Sequence, residues 1–479
     1  MLYAALDTVL QEIVARWGIP GLAVGIVQED EIVYARAFGV QNLETQAPVT
    51  LDSVFCVSSI SKVFVATAVI QLAERGTIDL DAPVVQYLPY FRLDDDRCAQ
   101  ITIRQILSHT SGMPDMDEVE YDQFVRHPED DEGAAERYVR QLSSRKMAAA
   151  PGERFLYSNI AYNVLGDLIA KVSGRSFEAY MREQVLRPAG MPHSTFLPAE
   201  VRPDRLVMPH LRMPKMGVSP FYPYHRADSP ASNLHTTLPD MCHWGMTSLN
   251  RGIYQGQRLL SPAGYERMWT PVVDRGNPRP NFYEDMGLGW VLGNYHGVQT
   301  ISHGGGGFGW TSFFFLLPGK KGAAVILCNE ESTARGRIIR AVAETMLGRK
   351  PEVGTVSWMV PVCEALAEGG IPAAYARYDD IKAHNAEDYS LDEYDLISLS
   401  YQLVGAGKPD LALDVLELNL QAFPESAESY LERVKIYLQQ GALAPARENL
   451  LQALAIEPGS AVAAALSEQV RLRERRRER

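Results

Sequence analysis

The stretch that decides the fold is residues 54–76, VFCVSSISKVFVATAVIQLAERG, because most of it must be buried although polar residues interrupt it between Val57 and Val63. From Val63 to Leu72 nearly every residue is apolar, and a helix that is apolar on all sides has to lie inside the protein. Gly76 follows, and glycine most easily adopts the left-handed conformation that ends a helix. The sequence therefore predicts a buried helix whose first turn contains Ser59.

That first turn carries a serine and a lysine at a spacing that suits nucleophilic catalysis. Ser59 and Lys62 are three residues apart, so they share one helix face and the ammonium can reach the hydroxyl. An amine in a partly dry site can take a proton from a serine, whereas burying a lysine for structure alone would be costly. The simpler interpretation of Ser59 is a helix N-cap. A second S-x-x-K, Ser143 to Lys146, lies in a polar stretch and is attributed to chance.

Length and composition indicate a large globular protein. A chain of 479 residues predicts two or three domains, and its net charge of −13 argues against a nucleic-acid partner. No apolar run is long enough for a membrane span and the N-terminus shows no signal-peptide pattern, so we expect a cytoplasmic protein. The five scattered cysteines predict free thiols. His210, His225 and His235 match no metal-ligand spacing, so no metal or other cofactor is expected.

Two further motifs follow the serine–lysine pair along the chain. Tyr157-Ser158-Asn159 leads into a predicted helix over 160–172, and it is the only Y-x-N in the sequence. His303 precedes four glycines, 304–307, at a predicted strand edge, where a substrate backbone could approach closely. Taken alone, the first motif is explained by a helix-entry cap and the second by a flexible loop.

In this order the three motifs resemble those of the penicillin-recognising serine hydrolases, related to the elements of class A β-lactamases. This group includes class C β-lactamases, D-alanyl-D-alanine carboxypeptidases, D-aminopeptidases and family VIII carboxylesterases. The resemblance covers roughly residues 5–350, with supporting phrases at 107–112, 151–153 and 288–290. It implies an α/β fold in which an antiparallel sheet is flanked by helices and accompanied by a helical domain.

The resemblance also implies a role for each motif residue. Ser59 would be the acylated nucleophile and Lys62 would help to deprotonate it. Tyr157 would pass the proton to the leaving group and later activate water. Asn159 would orient the acyl group and hold Lys62. The backbone N–H groups of Ser59 and Gly306 would bind the oxyanion.

The third motif, His303-Gly304-Gly305, departs from the commoner pattern, in which lysine stands at position 303. An imidazole with a reference pKa of about 6.5 is mostly neutral at pH 7, so a substrate carboxylate would lose an anchor. We therefore predict a small-molecule ester, amide or peptide substrate, and favour esters or small amides. The alternatives are a β-lactamase or D-alanyl-D-alanine carboxypeptidase, and a non-catalytic scaffold that binds partners through its C-terminal helices.

The composition changes after Gly348. We predict a hydrolase domain over 1–350, a linker with helices over 351–390, and helical repeats with a basic tail over 391–479. Three residue pairs recur with the 34-residue period of tetratricopeptide repeats: Gly407 and Gly441, Ala412 and Ala446, Pro424 and Pro458. Because two repeats are fewer than usually stand alone, we expect them to pack within the chain or to form a homo-oligomer.

Overall fold

The computed structural model describes residues 2–477, so Met1 and the last two residues of the predicted basic tail lie outside the described residues. The chain forms two compact units. The first runs to His210 and resumes over Phe221–Val353. The second comprises Leu211–Pro220 together with the chain from Gly354 onward. The predicted boundaries at 350 and 390 stay predictions. Because such boundaries divide the chain only along its sequence, they do not show that the segment 211–220 belongs to the second unit.

The strands outside the main sheet are two or three residues long, and those within it range from two to ten residues. They are β1 (Gly21–Gln28), β2 (Glu31–Gly39), β3 (Phe55–Cys56), β4 (His210–Arg212), β5 (Met216–Val218), β6 (His235–Thr236), β7 (Ile253–Tyr254), β8 (Gln257–Arg258), β9 (Val273–Asp274), β10 (Asp285–Met286), β11 (Val291–Tyr295), β12 (Val298–Gly307), β13 (Trp310–Leu317), β14 (Gly322–Cys328), β15 (Val356–Ser357) and β16 (Tyr389–Ser390).

Over the described residues, the first unit contains eleven α-helices and the second unit contains six. They are α1 (Leu2–Trp17), α2 (Ser61–Glu74), α3 (Ile103–Leu107), α4 (Glu118–Arg126), α5 (Ala134–Gln141), α6 (Asn159–Ser173), α7 (Phe177–Tyr180), α8 (Ser229–Ser232), α9 (Leu238–Leu249), α10 (Pro262–Met268), α11 (Arg335–Met346), α12 (Met359–His384), α13 (Glu393–Gly405), α14 (Pro409–Ala422), α15 (Ala427–Gln439), α16 (Leu443–Ile456) and α17 (Ala461–Arg477).

The main sheet has eight strands in the order β2-β1-β14-β13-β12-β11-β10-β9, and every neighbouring pair is antiparallel. Its central strands β13 and β14 are buried along their whole length, which fits their continuous apolar sequences. The antiparallel sheet with its flanking helices and the all-helical C-terminal region confirm the predicted fold class.

Helix α2 lies at the centre of the first unit, as its apolar sequence predicts. Its residues from Ser61 to Leu72 are all buried. On one side, Phe64 stacks on Trp244 of α9 with ring centroids 4.1 Å apart. Helix α9 in turn packs against β1 and β14. Helices α6 and α8 also pack on α2, so the first turn of α2 is held between the sheet and the helical part of the unit.

The second unit is built from helices that pair as antiparallel hairpins, α13 with α14 and α15 with α16. Gly407 and Gly441 have positive φ angles of 74° and 72° in the equivalent turns of the two hairpins. Ala412 and Ala446 are fully buried at equivalent places. The 34-residue period therefore corresponds to one helical hairpin. Over the described residues, the helices of both units include none that is both long and apolar enough to cross a bilayer.

The second unit also includes the segment 211–220, which lies in the sequence between the two parts of the first unit. The Arg212 backbone N–H donates to Gln402 Oε1 at 2.8 Å, and Lys408 Nζ donates to the Met213 carbonyl at 2.9 Å. The C-terminal helices therefore hold a segment that interrupts the first unit.

Removing residues 355–479 should therefore damage the predicted hydrolase domain as well as the repeats. The segment 211–220 would lose its partners, so we expect aggregation or a changed mass in size-exclusion chromatography with light scattering. The milder variant Gln402→Ala is the control, because leaving one buried donor unpaired costs about 1–3 kcal/mol and should lower only the melting temperature. A truncated protein that stays soluble, equally active and unchanged in mass would show that the C-terminal helices are an independent module.

Candidate active site

Ser59 lies in a tight turn immediately before α2. Residues Ser58–Ile60 form one turn of 3-10 helix, and Ser58 has a positive φ of 46°, which non-glycine residues rarely adopt. The N-cap residue of α2 is Ile60, so Ser59 does not cap this helix. Ser61 fixes the turn, because its hydroxyl donates to the Ser58 carbonyl at 2.6 Å and accepts from the Leu234 N–H at 2.9 Å. Ser59 itself is half-buried, so part of it is accessible from outside the protein.

Lys62 is fully buried and its amine contacts three oxygen atoms. Nζ lies 3.0 Å from Ser59 Oγ, 2.7 Å from Asn159 Oδ1 and 2.8 Å from the Ala231 carbonyl oxygen. Among the described residues, no carboxylate forms an ion pair with it. The three partners come from the turn before α2, from α6 and from α8, so three separate elements fix the position of the amine.

Asp115 fixes the orientation of Asn159. Asn159 Nδ2 donates to Asp115 Oδ2 at 2.9 Å, so its Oδ1 must face Lys62. The same carboxylate accepts from the backbone N–H of Asn159 at 3.0 Å at the start of α6, and burial raises its pKa. Ser158 caps α6 by accepting from the Ala161 N–H. The helix cap expected at the Tyr157-Ser158-Asn159 motif is therefore provided by Ser158, and the Asn159 side chain can contact Lys62.

Tyr157 forms one wall of the site. Its half-buried ring lies 5.0 Å from Lys62 Nζ and stacks on the His109 ring at 4.1 Å. His109 is fully buried, and its Nδ1 accepts from the Ser158 N–H at 3.2 Å. Burial, followed by the charge of Lys62, holds the pKa of His109 well below its usual value, so His109 is a neutral support for the tyrosine.

The glycines after His303 belong to β12 and are not a flexible loop. Gly304 to Gly307 pair with Phe313 to Trp310 of β13. Gly305 has to be glycine because a Cβ there would overlap the Val57 carbonyl oxygen and the Ser312 hydroxyl. Ser312 Oγ itself donates to that carbonyl at 2.7 Å. The strand therefore packs directly against the turn that carries Ser59.

One edge of β12 is open beside this turn. Strand β11 pairs with β12 only as far as Ser302, so from His303 onward β12 has a strand neighbour on the β13 side alone. Gly306 is exposed, and the nearest atom to a Cβ placed there is the Trp310 carbonyl oxygen at 3.7 Å. This open edge leaves room for another backbone to approach.

His303 lies at the point where β11 ends. Its Nδ1 is 2.8 Å from the Gly304 carbonyl oxygen, so Nδ1 donates and Nε2 carries the lone pair. Nε2 is buried without a hydrogen-bond partner among the described residues. Burial, followed by the charge of Lys62, lowers the pKa of His303 to about 3. The imidazole therefore stays neutral from pH 5 to 8 and presents an acceptor, which cannot hold a carboxylate.

The other histidines singled out in the sequence have structural partners. His210 Nε2 accepts from the Leu43 N–H at 3.1 Å, and His235 Nε2 lies 2.8 Å from the Tyr222 hydroxyl. The His225 side chain accepts from the Ala227 N–H. Over residues 2–477, no cluster of three or more His, Cys, Asp or Glu side chains is arranged to hold a metal ion.

Sequence reasoning brought together Ser59, Lys62, Asn159 and the β12 glycines, but it missed three contributors. Asp115, Ala231 and His109 lie outside the three motifs. Only His109 had a signal, since it stands in the phrase at 107–112. The second S-x-x-K is different, because Ser143 and Lys146 are both exposed.

Comparison with known proteins agrees with this geometry. The sequence profile of the beta-lactamase family matches residues 6–346, so the chain belongs to the beta-lactamase family. Its relatives are serine hydrolases. It is 28% identical to penicillin-binding protein 4 of Amycolatopsis lactamdurans over 318 residues, which cover 65% of this chain and 81% of that protein. It is 27% identical to the D-alanyl-D-alanine-carboxypeptidase/endopeptidase AmpH of Escherichia coli over 359 residues, covering 70% and 87% of the two chains.

Solved structures share the fold. The octameric penicillin-binding protein homologue from Pyrococcus abyssi superposes with a TM-score of 0.64 at 27% identity, covering 73% of this chain and 78% of that one. The D-amino acid amidase from Ochrobactrum anthropi SV3 gives a TM-score of 0.62 at 20% identity, covering 72% and 99%. The similarity to the amidase establishes the fold alone.

The close approach of β12 to the Ser59 turn predicts different effects at two adjacent glycines. Gly305→Ala should lower the free energy of unfolding by about 1–3 kcal/mol, because the methyl group overpacks against Val57 and Ser312. Gly306→Ala is the matched control and should change stability little, since its Cβ would meet nothing closer than 3.7 Å. Denaturant unfolding measures both variants. Equal stability of the two would mean that β12 does not press on the turn.

Proposed function

We propose that this protein hydrolyses carboxylic esters or small amides, including short peptides, through an acyl-enzyme on Ser59. The observation that carries the proposal is the contact between Lys62 Nζ and Ser59 Oγ at 3.0 Å, made by a lysine with no access to solvent. A buried amine beside an accessible serine hydroxyl is an arrangement that can activate the serine without a histidine.

The partners of Lys62 suit a general base. The Asn159 and Ala231 oxygens can only accept hydrogen bonds, whereas the Ser59 hydroxyl can also donate. A neutral amine has two N–H donors and one lone pair, so it can donate to the two acceptors and accept from Ser59. In the charged state the same three contacts take up all three ammonium protons. Lys62 can therefore gain the serine proton without losing a hydrogen bond.

The bond changes follow from this arrangement. Ser59 Oγ attacks the carbonyl carbon of the substrate while its proton passes to Lys62. The backbone N–H groups of Ser59 and Gly306 are the proposed donors to the developing oxyanion. The C–O or C–N bond then breaks, and the leaving group receives the proton through Tyr157. Water next attacks the acyl-enzyme, with Tyr157 as the proposed base, and Ser59 recovers its proton.

A second candidate is action on D-alanyl peptides or β-lactams. What favours it is the similarity to a penicillin-binding protein and to a D-alanyl-D-alanine-carboxypeptidase/endopeptidase at 27–28% identity. What opposes it is the neutral His303, which offers no charge to a carboxylate. The third alternative, a non-catalytic scaffold, is disfavoured because Ser59, Lys62 and Asn159 form a complete hydrogen-bonded set.

A fluorophosphonate should label Ser59 and no other serine. Peptide mass spectrometry locates the adduct, and Ser59→Ala should lower ester hydrolysis by several orders of magnitude because nucleophile and base act as a unit. Ser143→Ala is the matched control, since it removes the serine of the exposed second S-x-x-K and should leave labelling and rate unchanged. An adduct on Ser143, or full activity in Ser59→Ala, would exclude the proposed mechanism.

A further inference from the structure

A cavity of about 260 Å³ lies among the helices of the first unit. Its lining comes from α5 and the residues just before it, from α6 and α7, and from the segment 226–230. Gly166, Ala170 and Gly174 follow one another at four-residue spacing, so this stripe along α6 carries almost no side-chain volume. Pockets for drug-sized ligands measure about 300–1,000 Å³, so this cavity suits a smaller molecule.

The cavity borders the candidate active site without sharing its residues. Pro230 lines the cavity, and the next residue, Ala231, gives its carbonyl to Lys62. On α6, Asn159 contacts Lys62, whereas the cavity begins two turns later at Gly166. A molecule in the cavity would therefore lie against α6 and α8 without contacting Lys62 or Ser59.

Every cation in the cavity lining already has a carboxylate partner. The ion pairs are Lys171 with Glu136, Arg175 with Glu183, and Arg226 with Glu178. A further lining carboxylate, that of Glu132, lies 4.0 Å from Arg226 with 78% of its side chain exposed. Asp167 is thus the one carboxylate of the lining that forms no ion pair within the described chain.

Asp167 is also the most deeply buried of these carboxylates, with 2% of its surface exposed. The Tyr90 hydroxyl donates to its Oδ2 at 2.7 Å, and its Oδ1 accepts no hydrogen bond from the described residues. Burial raises the pKa of Asp167, although Lys171 and Arg140 are near enough to oppose this. Both of these cations pair with Glu136 instead. A buried carboxylate held by one neutral hydroxyl would gain from a cation bound in the cavity.

We propose that this cavity binds a small organic cation, a primary ammonium on a short apolar body, whose N–H groups donate to Asp167. The apolar body would pack on Phe177 and Pro230 in the cavity wall. A metal ion does not suit the cavity, because hard cations take six or more oxygen ligands, and the described residues hold no cluster of three or more candidate ligands. The inference goes beyond the proposed function and does not depend on it.

The test compares two probes of similar shape, benzylammonium and neutral benzyl alcohol, by ligand-observed NMR, which measures weak dissociation constants. Wild type should bind benzylammonium more tightly than benzyl alcohol. Asp167→Asn should weaken benzylammonium binding by about ten- to a hundredfold, the worth of one charge-assisted hydrogen bond, and leave benzyl alcohol unaffected. The asparagine oxygen can still accept from Tyr90, so the fold should be kept, which thermal melting checks.

Glu132→Gln is the matched control, because it removes a carboxylate from the same lining and should bind benzylammonium as wild type does. Ala170→Leu is a second variant that fills the cavity and keeps Asp167, so it should weaken binding of both probes. Equal binding of the two probes by wild type, or equal losses in Asp167→Asn and Glu132→Gln, would overturn the inference. Unchanged benzylammonium binding in either Asp167→Asn or Ala170→Leu would also overturn it, whatever the outcome of Ser59 labelling.

Discussion

The amine of Lys62, enclosed in the protein with only neutral oxygen atoms around it, is the constraint on which the rest of this structure depends. Its neighbours are a hydroxyl, an amide oxygen and a backbone carbonyl, supplied by three different helical elements. An ion pair with a carboxylate would stabilise the ammonium and make it a poor base. The surroundings of Lys62 instead satisfy either protonation state, which is what a group that takes up and returns a proton needs.

Most of the first unit serves to hold this arrangement in place. The apolar body of α2 buries Lys62 by packing against α9 and the sheet, and the left-handed conformation of Ser58 brings Ser59 to face the amine. Strand β12 supports the turn from the other side, which is possible only because Gly305 lacks a side chain. Asp115 accepts from Asn159 Nδ2, so the amide oxygen that contacts Lys62 is also held in one orientation.

The sequence was sufficient for features that depend on neighbouring residues. The spacing of Ser59 and Lys62 predicted their contact, and the 34-residue period predicted the helical hairpins. What it could not predict depends on contacts between distant parts of the chain. The Ala231 carbonyl has no side-chain identity that a motif could show. Asp115 looks like an ordinary loop residue until tertiary packing brings its carboxylate to Asn159. The place of residues 211–220 in the second unit depends on hydrogen bonds with residues nearly two hundred positions away.

Activation of Ser59 by Lys62 is the central claim, and chemical rescue tests it most directly. The measurement is the rate of fluorophosphonate labelling at Ser59 in Lys62→Ala, with and without small primary amines. Lys62→Ala leaves the Asn159 and Ala231 oxygens without a donor beside a cavity the size of the lost side chain. The account predicts that labelling falls by orders of magnitude and is partly restored by amines that fit this cavity. Labelling of Lys62→Ala at the wild-type rate without added amine would contradict it.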